Sequence, residues 1–363
     1  MRILIIARET LYSGPGGDTV QVENTAKFLR KLNVFVDIKL DGDEIKYADY
    51  DIVHLFNIIR PAGIYKHAGI CKKPFVISTI YVDYSELEKK NRGVFFTLLN
   101  LFFGKYSVEY IKVIARHLNG SEKLNSSKYL LLGQKRSIIE LLEKASYLLP
   151  NSKNEYNRLL KDFGVSQKYN VIPNAFDTSI FNENKIQPRI KREGILCVGR
   201  IEHIKNQLAL IKAINQTNLT LTIIGKPAPN QLKYYKKCKE AANENILFIE
   251  HVNQAELVGY YASARVHVLP SWFETTGLST LEAGAMGCQL VITGKGDTKD
   301  YFKDEVFYCD PDDVNSIKNA VVEANEQKNN AAITSRIRSE FIWEITAKKT
   351  LEVYKEVIYF TSN

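Results

Sequence analysis

The sequence has few cysteines and pairs none of them closely. Its 363 residues include five cysteines, and no two of them form a CxxC pair. An odd number of widely spaced cysteines fits neither a disulfide framework nor a zinc site. We therefore expect a reducing compartment, the cytoplasm, and no metal site built on cysteine.

The sequence also lacks a long apolar run. Its most apolar stretch, Val94–Phe103, has about half of the roughly 20 residues that a membrane-spanning helix needs. No basic leader with an apolar segment and a cleavage site opens the chain, so we expect no signal peptide. Residues 103–153, which follow, carry more Lys and Arg than Glu. The region 94–153 suits either peripheral contact with an anionic membrane or a buried helix followed by a solvated one.

Basic residues outnumber acidic ones, 49 to 41, which gives a formal net charge of +8. Such a surplus favours anionic partners: nucleic acid, phosphorylated ligands or an anionic membrane surface. A solvated, lysine-rich surface without such a partner produces the same surplus.

Strand-like apolar runs alternate with segments of helical periodicity, and the alternation occurs twice. Strands with apolar residues on both faces, separated by helices, are typical of parallel sheets covered on both sides. The first set of runs is Ile3–Ala7, Val34–Ile38, Ile52–Phe56, Phe75–Ile80 and Tyr147–Leu149. The second set is Ile195–Val198, Leu219–Ile224, Ile246–Ile249, Val266–Leu269 and Leu290–Ile292.

These patterns predict an α/β protein with two Rossmann-like, doubly wound domains. We expect an amino-terminal domain at residues 1–182 and a carboxyl-terminal domain at 190–342, joined by the polar stretch Asn182–Glu193. A long amphipathic helix is predicted for residues 343–363. Open parallel sheets bind ligands at the carboxyl ends of their strands, so the site is expected in a cleft that the two domains face.

Two cations follow the first strand of the second set. In Cys197–Asn206 a strand ends, Gly199 allows a tight turn, and Arg200 and Lys205 precede a helix. A guanidinium grips two oxygens at once and an ammonium adds a compact charge, so the pair suits a pyrophosphate. Two ordinary solvated cations near a turn are the alternative.

Two acids flank a loop in Pro270–Ala283. Glu274 lies in the loop, and Glu282 lies in the helix that is expected to begin near Leu278. The stretch Thr275–Gly277 would place backbone amides at the helix amino terminus, which attracts anions. A capped helix with one glutamate on a solvated face is the alternative.

Two further loops give weaker signals. Ser13–Thr19 is rich in glycine and could bring amides towards a phosphate or a sugar, but it lacks the GxGxxG spacing of dinucleotide sites. Asp41–Asp43 imitates a metal-binding DxD, yet Asp and Gly are favoured in turns in any case. We expect no metal site there.

Together these motifs resemble glycosyltransferase family 4, a retaining family of GT-B fold. The most specific matches are Gly199-Arg200 with Lys205-Asn206, and the acids Glu274 and Glu282 spaced as E-x7-E. Supporting matches are Asp51–His54, Pro150–Ser152, Val171–Asp177 and Trp343 at the head of the last helix. The final helix is implied to pack back on the amino-terminal domain.

The resemblance implies a role for each matched residue. Arg200 and Lys205 would hold the donor diphosphate, Glu282 would bind the ribose hydroxyls, and Glu274 would contact the transferred sugar. With Glu274, Arg200 and Lys205 form the implied catalytic set. The remaining implied donor-binding residues are Gly16 and Gly17 over the phosphates, His251 and Val252 near the base, and Thr275, Thr276, Gly277 and Leu278 at the sugar and phosphates.

The sequence departs from that family at two places. Many members carry a histidine after the strand that corresponds to Phe75–Ile80, and this sequence has none there. Tyr81 and Asp83 are candidates for its place. Position 276 is threonine where an aromatic residue is common, so contacts to the donor there are expected to differ.

The resulting expectation is a metal-independent, cofactor-free glycosyltransferase that uses a UDP- or GDP-sugar. The acceptor would be a glycan or a lipid-linked precursor of a surface polysaccharide, handled in the cytoplasm or at the inner face of the plasma membrane, with no nucleic acid as partner. A nucleotide-sugar epimerase of GT-B fold and a non-catalytic module that binds nucleotide-sugar or nucleic acid are the alternatives.

Overall fold

The computed structural model describes residues 1–83, 106–115, 117–118, 126–182, 191–327 and 331–362. Its chain divides into two compact units. The first comprises Met1–Pro173 and Trp343–Asn363, and the second comprises Asn174–Ile342. The predicted apolar stretch Val94–Phe103 and most of the predicted linker lie outside the described residues.

The first unit contains a five-stranded parallel sheet in the order β2-β1-β3-β4-β5. Its strands are β1 (Arg2–Ala7), β2 (Phe35–Leu40), β3 (Ile52–Phe56), β4 (Phe75–Ser78) and β5 (Tyr147–Leu149). Its helices are α1 (Gly17–Lys31), α2 (Pro61–Ile70), α3 (Ser127–Lys144) and α4 (Lys153–Phe163), and residues 106–115 are also helical.

The core of the first unit lies on both faces of this sheet. All five residues Ile3–Ala7 of β1 are buried, because β1 is flanked by β2 and β3 and covered by helices. The register aligns Ile3 with Val36 on one side and with Ile52 on the other. On α1, Val22, Ala26 and Leu29 form the buried stripe that their spacing predicts.

The final helix, Trp343–Ser362, belongs to the first unit although the chain reaches it last. Tyr354 on this helix is buried, and its hydroxyl lies 2.6 Å from Nδ1 of His54 in β3. Nε2 of His54 lies 2.9 Å from the Ser78 hydroxyl in β4. Burial lowers the pKa of His54 to about 3, so this histidine is a neutral core residue.

The second unit contains a six-stranded parallel sheet in the order β11-β10-β9-β6-β7-β8. Its strands are β6 (Ile195–Val198), β7 (Leu221–Ile224), β8 (Ile246–Ile249), β9 (Val266–Leu269), β10 (Gln289–Thr293) and β11 (Phe307–Cys309). Its helices are α5 (Gln207–Ile214), α6 (Leu232–Ala241), α7 (Gln254–Ser263), α8 (Leu278–Ala285), α9 (Thr298–Phe302), α10 (Val314–Glu326) and α11 (Ala331–Glu340).

The chain enters and leaves the second unit side by side. The Phe176 amide donates to the Phe341 carbonyl at 3.0 Å, and Phe176 forms a parallel bridge with Ile342. The sequence places the end of the first domain at residue 182, whereas the structural division falls at Pro173.

The prediction of two doubly wound parallel sheets is confirmed, and all ten predicted strands are present within a few residues of their expected bounds. The sequence missed β11, a three-residue strand at the edge of its sheet in which Cys309 alone is buried. Among the helices that the structure describes, none combines the length and the apolar character needed to span a bilayer.

Candidate active site

The sheet of the second unit reverses its strand order between β6 and β9. The chain runs outwards from β6 through β7 to β8, then returns to β9 on the other side of β6. At such a switch point the loops that follow the two strands diverge and leave a crevice for a ligand. The loop after β6 carries Arg200 and Lys205, and the loop after β9 carries Glu274.

Close backbone contact shapes the start of the loop after β6. Gly199 has φ 155° and Gly225, after the neighbouring strand β7, has φ 156°. A Cβ atom on Gly225 would lie 1.9 Å from the Gly199 carbonyl oxygen. Glycine is therefore required at 225, and it fixes the point at which the chain turns towards Arg200.

Asn206 joins the loop after β6 to the loop after β9. Its Nδ2 donates to the carbonyl of Pro270 at 3.2 Å and to the carbonyl of Pro311 at 2.7 Å. The Trp272 amide donates to the Ile204 carbonyl at 2.8 Å. Asn206 reaches this position in a left-handed conformation, φ 58°, which asparagine tolerates better than most residues.

Lys205 and Glu274 meet at the switch point. Nζ of Lys205 lies 2.5 Å from Oε1 of Glu274, and the Ser271 hydroxyl donates to the same oxygen at 2.6 Å. The Glu274 side chain is 7% exposed and that of Lys205 is 23% exposed. Both bonds end on Oε1, so among the described residues Oε2 of Glu274 has no hydrogen-bond partner and is the oxygen open to a ligand.

The backbone on the other side fixes Glu274 as well. The Glu274 carbonyl accepts from the Asp297 amide at 2.8 Å, and Glu274 forms a parallel bridge with Gly296. Gly296 has φ 91°, and a Cβ there would lie 2.1 Å from the Glu274 carbonyl oxygen. Loops from β6 and β9 therefore hold the Glu274 carboxylate, and the loop after β10 holds its backbone.

Arg200 is placed differently from Lys205. Its side chain is 50% exposed, and Nη2 lies 3.2 Å from Oε1 of Glu202. This is a solvent-exposed pair, which contributes little to stability. The guanidinium is thus available to a ligand at the carboxyl edge of β6, while the structure brings Lys205, not Arg200, into contact with Glu274.

The predicted anion-binding turn begins α8. Gly277 precedes the helix with φ 72°, and a Cβ there would lie 2.9 Å from Oγ1 of Thr280. The first amides of a helix have no partner within it, so those that begin at Leu278 face outward. Thr275 is half-buried and Thr276 is buried, with Oγ1 of Thr276 accepting from Nδ2 of Asn174 at 3.4 Å.

Glu282 lies in the second turn of α8 and is held by a tyrosine of α7. The Tyr261 hydroxyl donates to Oε2 of Glu282 at 2.9 Å. Burial raises the pKa of Glu282 to about 7, although the Tyr261 hydrogen bond acts in the opposite direction. Some of the side-chain surface nevertheless remains exposed. Oε1 of Glu282 has no protein partner within the described part of the chain.

The remaining predicted residues of the second unit lie in different settings. His251 is exposed and Val252 is half-buried in the segment after β8, next but one to β6 in the sheet. His267 is buried in β9, and burial lowers its pKa to about 3, so it is a neutral core residue.

The side chain of Arg8 connects the two ends of the glycine-rich loop of the first unit through hydrogen bonds. Nε of Arg8 donates to Asp18 at 2.5 Å, and Nη2 donates to the Gly14 carbonyl at 2.8 Å. Gly16 precedes α1 and Gly17 begins it, with the Gly16 amide donating to the Thr19 hydroxyl at 3.0 Å. Arg8 therefore holds the loop in place, and the donor-binding role of both glycines stays a prediction.

Tyr81 does not replace the missing histidine. Its ring is buried and its hydroxyl donates to Asp162, so burial and that bond raise its pKa far above the ordinary value. A phenol with such a raised pKa stays protonated and so cannot serve as a general base. The Tyr81 amide instead donates to Oε1 of Glu155 at 2.8 Å, within a buried network that also includes Thr79.

Sequence reasoning did not single out three residues that support the site. Asn206 belongs to the matched Lys205-Asn206 motif, but the sequence assigned it no role. Ser271 lies three residues before Glu274, which is the one signal that could have indicated a hydrogen bond between them. Tyr261 gave no signal, since it is one of two adjacent tyrosines in a helix. Only the fold brings it to Glu282.

Comparison with known proteins gives partial sequence matches. The family model described as glycosyl transferases group 1 matches residues 179–338. The glycogen synthase of Mycobacterium tuberculosis is 28% identical over 228 residues, which cover 59% of this chain and 55% of that protein. The match thus spans about half the length of that relative.

A second relative is matched over more of its length. The N-acetylgalactosamine-N,N'-diacetylbacillosaminyl-diphospho-undecaprenol 4-alpha-N-acetylgalactosaminyltransferase of Campylobacter jejuni is 28% identical over 314 residues, or 82% of this chain and 83% of that protein.

Among solved structures, Anabaena HepE in complex with UDP and glucose superposes with a TM-score of 0.70 at 15% identity, covering 98% of this chain and 100% of that one. The fold is therefore GT-B, and residues 179–338 are similar to the glycosyl transferases group 1.

Proposed function

We propose that the protein transfers a sugar from a nucleoside diphosphate sugar, with UDP or GDP as the leaving group. The contact between Lys205 and Glu274 at the switch point of the second sheet carries this proposal. It places a cation suited to phosphate beside a carboxylate suited to sugar hydroxyls, which are the two halves of such a donor. The names of the relatives, and the UDP and glucose bound to HepE, support the same class of ligand.

The chemistry follows from where charge develops. Breaking the bond between sugar and diphosphate leaves negative charge on the departing phosphate. Arg200, Lys205 and the amides at Thr276–Leu278 would stabilise that charge, and loss of one such group costs about 3 kcal/mol, roughly a hundredfold in rate. Oε2 of Glu274 would accept a hydrogen bond from the transferred sugar, and Glu282 would bind the ribose.

Two finer features belong to the same proposal. Protein cations supply the positive charge, so we expect no requirement for a metal ion. Retention of the anomeric configuration is proposed from the resemblance to family 4. Here Glu274 and Glu282 do not act as the acid and nucleophile of a retaining hydrolase, because Glu282 is assigned to the ribose.

The acceptor is proposed to be a glycan or a lipid-linked precursor of a surface polysaccharide. The relative whose name specifies a diphospho-undecaprenol acceptor supports a lipid-linked one.

Peripheral membrane contact is proposed at the start of α3, where Leu131 is 85% exposed three residues after Lys128. Salt-sensitive sedimentation with phosphatidylglycerol vesicles is expected, and no sedimentation at low salt would contradict this contact.

Thermal unfolding with a panel of nucleotide sugars tests the donor assignment. A ligand that binds the native state raises the melting temperature by mass action. We expect a rise with one UDP- or GDP-sugar that persists in EDTA and is lost in Arg200→Ala. Lys212→Ala, which removes an exposed cation from α5, is the charge-matched control and should keep the rise. An unchanged rise in Arg200→Ala would refute the phosphate assignment.

A further inference from the structure

We infer that Tyr261 is a positioning residue for donor recognition, whose hydroxyl holds Glu282 so that Oε1 of that carboxylate faces the ribose hydroxyls of the nucleotide. This inference rests on the proposed function and deepens it. It assigns a role to a buried phenol whose hydroxyl donates to the Glu282 carboxylate.

The first support is the geometry of the hydrogen bond. The Tyr261 hydroxyl donates to Oε2 of Glu282 at 2.9 Å, an ordinary distance for a bond to a carboxylate oxygen. A carboxylate with one oxygen fixed in this way loses rotational freedom about its last side-chain bond. Its other oxygen then points in one direction before any ligand arrives, and binding does not have to order it.

The second support is the rigidity of Tyr261 itself. The ring is fully buried, and it makes edge contacts with Phe181 and His267 at centroid distances of 5.9 and 6.0 Å. Its carbonyl accepts from Nη1 of Arg192 at 2.8 Å and from the Cys288 thiol at 3.1 Å. Backbone and side chain are therefore both constrained, which a positioning residue requires.

The third support is the surroundings of Glu282. Of the charged and titratable groups on the neighbouring elements, Arg338 on α11 donates to the Ala285 carbonyl at 2.8 Å, and His267 on β9 lies 3.4 Å from the Thr280 hydroxyl. Both interact with other residues of α8. Burial and the Tyr261 hydrogen bond are the causes of the raised pKa of Glu282.

The test compares nucleotide affinity in Tyr261→Phe with that in Tyr260→Phe. The Tyr260 hydroxyl forms no hydrogen bond among the described residues, so its loss from the same helix is the matched control. Affinities are measured by calorimetry for UDP or GDP, whichever the wild type binds more tightly, and for its 2′,3′-dideoxy analogue. Unliganded melting temperatures report on folding.

We expect Tyr261→Phe to weaken binding of the ribonucleotide about tenfold, the usual effect of losing a hydrogen bond to a charged group. Binding of the dideoxy analogue should be unchanged in the same variant, because it presents no ribose hydroxyls to Glu282. The loss should also be largest near and just above pH 7, where Glu282 is ionised in the wild type but still protonated in the variant, and smaller at low pH, where it is protonated in both. Without the phenol, the pKa of Glu282 rises further and the carboxylate is protonated over a wider range.

Three outcomes would overturn the inference. Equal losses for both nucleotides would show that Tyr261 serves folding alone. Unchanged ribonucleotide affinity, in a wild type that prefers the ribonucleotide, would remove Tyr261 from recognition while leaving the donor assignment intact. A wild type that binds neither UDP nor GDP would overturn the proposed function and this inference together.

Discussion

Lys205 and Glu274 form an ion pair across two loops of the second unit, with 2.5 Å between Nζ and Oε1. Replacing Lys205 with alanine leaves a carboxylate that is 7% exposed without its cation. We expect this variant to be less stable by about 2 kcal/mol, because an uncompensated buried charge is costly. Urea unfolding of the purified variant provides the measurement.

A double-mutant cycle isolates the pair. In a Glu274→Gln background no carboxylate is left without its cation, so the cost of Lys205→Ala should fall by at least about 1 kcal/mol. Equal costs in the two backgrounds would mean that Lys205 contributes to stability independently of Glu274.

Gly225→Ala should destabilise the second unit. A Cβ at 225 would lie 1.9 Å from the Gly199 carbonyl, and the φ of 156° is unfavourable for alanine. We expect a loss above about 2 kcal/mol, because both the clash and the backbone strain must be relieved. Gly259→Ala is the control: it lies in α7 with nothing within 4 Å of a new Cβ, and it should stabilise by up to about 1 kcal/mol. Similar results for both variants would contradict the close approach of the two loops.

Stability should depend on pH through Glu282. In the native state its pKa is about 7, whereas its ordinary value is 4.5. Between these values the native protein binds the proton and the unfolded chain releases it, so this group's contribution to stability falls as pH rises from about 4.5 to 7. The group is not fully buried, so we expect the loss to be on the order of 2 kcal/mol by pH 8.

Glu282→Gln separates this effect from that of the histidines. His54 and His267 act in the opposite direction. The pKa of each is lowered to about 3, so their contribution to the stability of the protein falls as pH falls below 6.5. Denaturant unfolding at pH 5 and pH 8 should show Glu282→Gln gaining on the wild type at the higher pH. A difference that does not change with pH would contradict the raised pKa.

Tyr354→Phe should weaken the attachment of the final helix in the first unit. The variant removes the buried hydrogen bond to Nδ1 of His54 and leaves that nitrogen without its partner. The expected cost is about 1 to 3 kcal/mol in the free energy of unfolding. Tyr359→Phe, on the same helix but 67% exposed, should change stability by less than about 0.5 kcal/mol. A comparable cost at both positions would argue against the buried contact.

The sequence was informative where a signal is local. Apolar runs such as Ile195–Val198 predicted strands, and Gly199 and Gly277 marked the turns that follow them. The order of motifs also placed Arg200, Lys205 and Glu274 after strand ends, where parallel sheets bind ligands.

Contacts between distant residues were not predictable from those signals. Lys205 and Glu274 are 69 residues apart, and they meet only because β9 pairs with β6 and not with β8. Nothing in the apolar pattern of a strand specifies its neighbour. For the same reason the sequence did not predict the hydrogen bond from Tyr261 to Glu282 or that from the Tyr81 hydroxyl to Asp162.

The contact between His54 and Tyr354 joins residues that are 300 positions apart, with the whole second unit lying between them in the sequence. A ribosome that adds roughly 5 to 20 residues per second needs about 15 to 60 seconds to cover that distance. Throughout this interval the nascent first sheet lacks the helix that completes its core. The apolar surface that this helix covers remains exposed, so chaperones can bind it or it can aggregate. Slow translation or early termination should therefore affect solubility more strongly in this architecture than in one whose first domain is encoded without interruption.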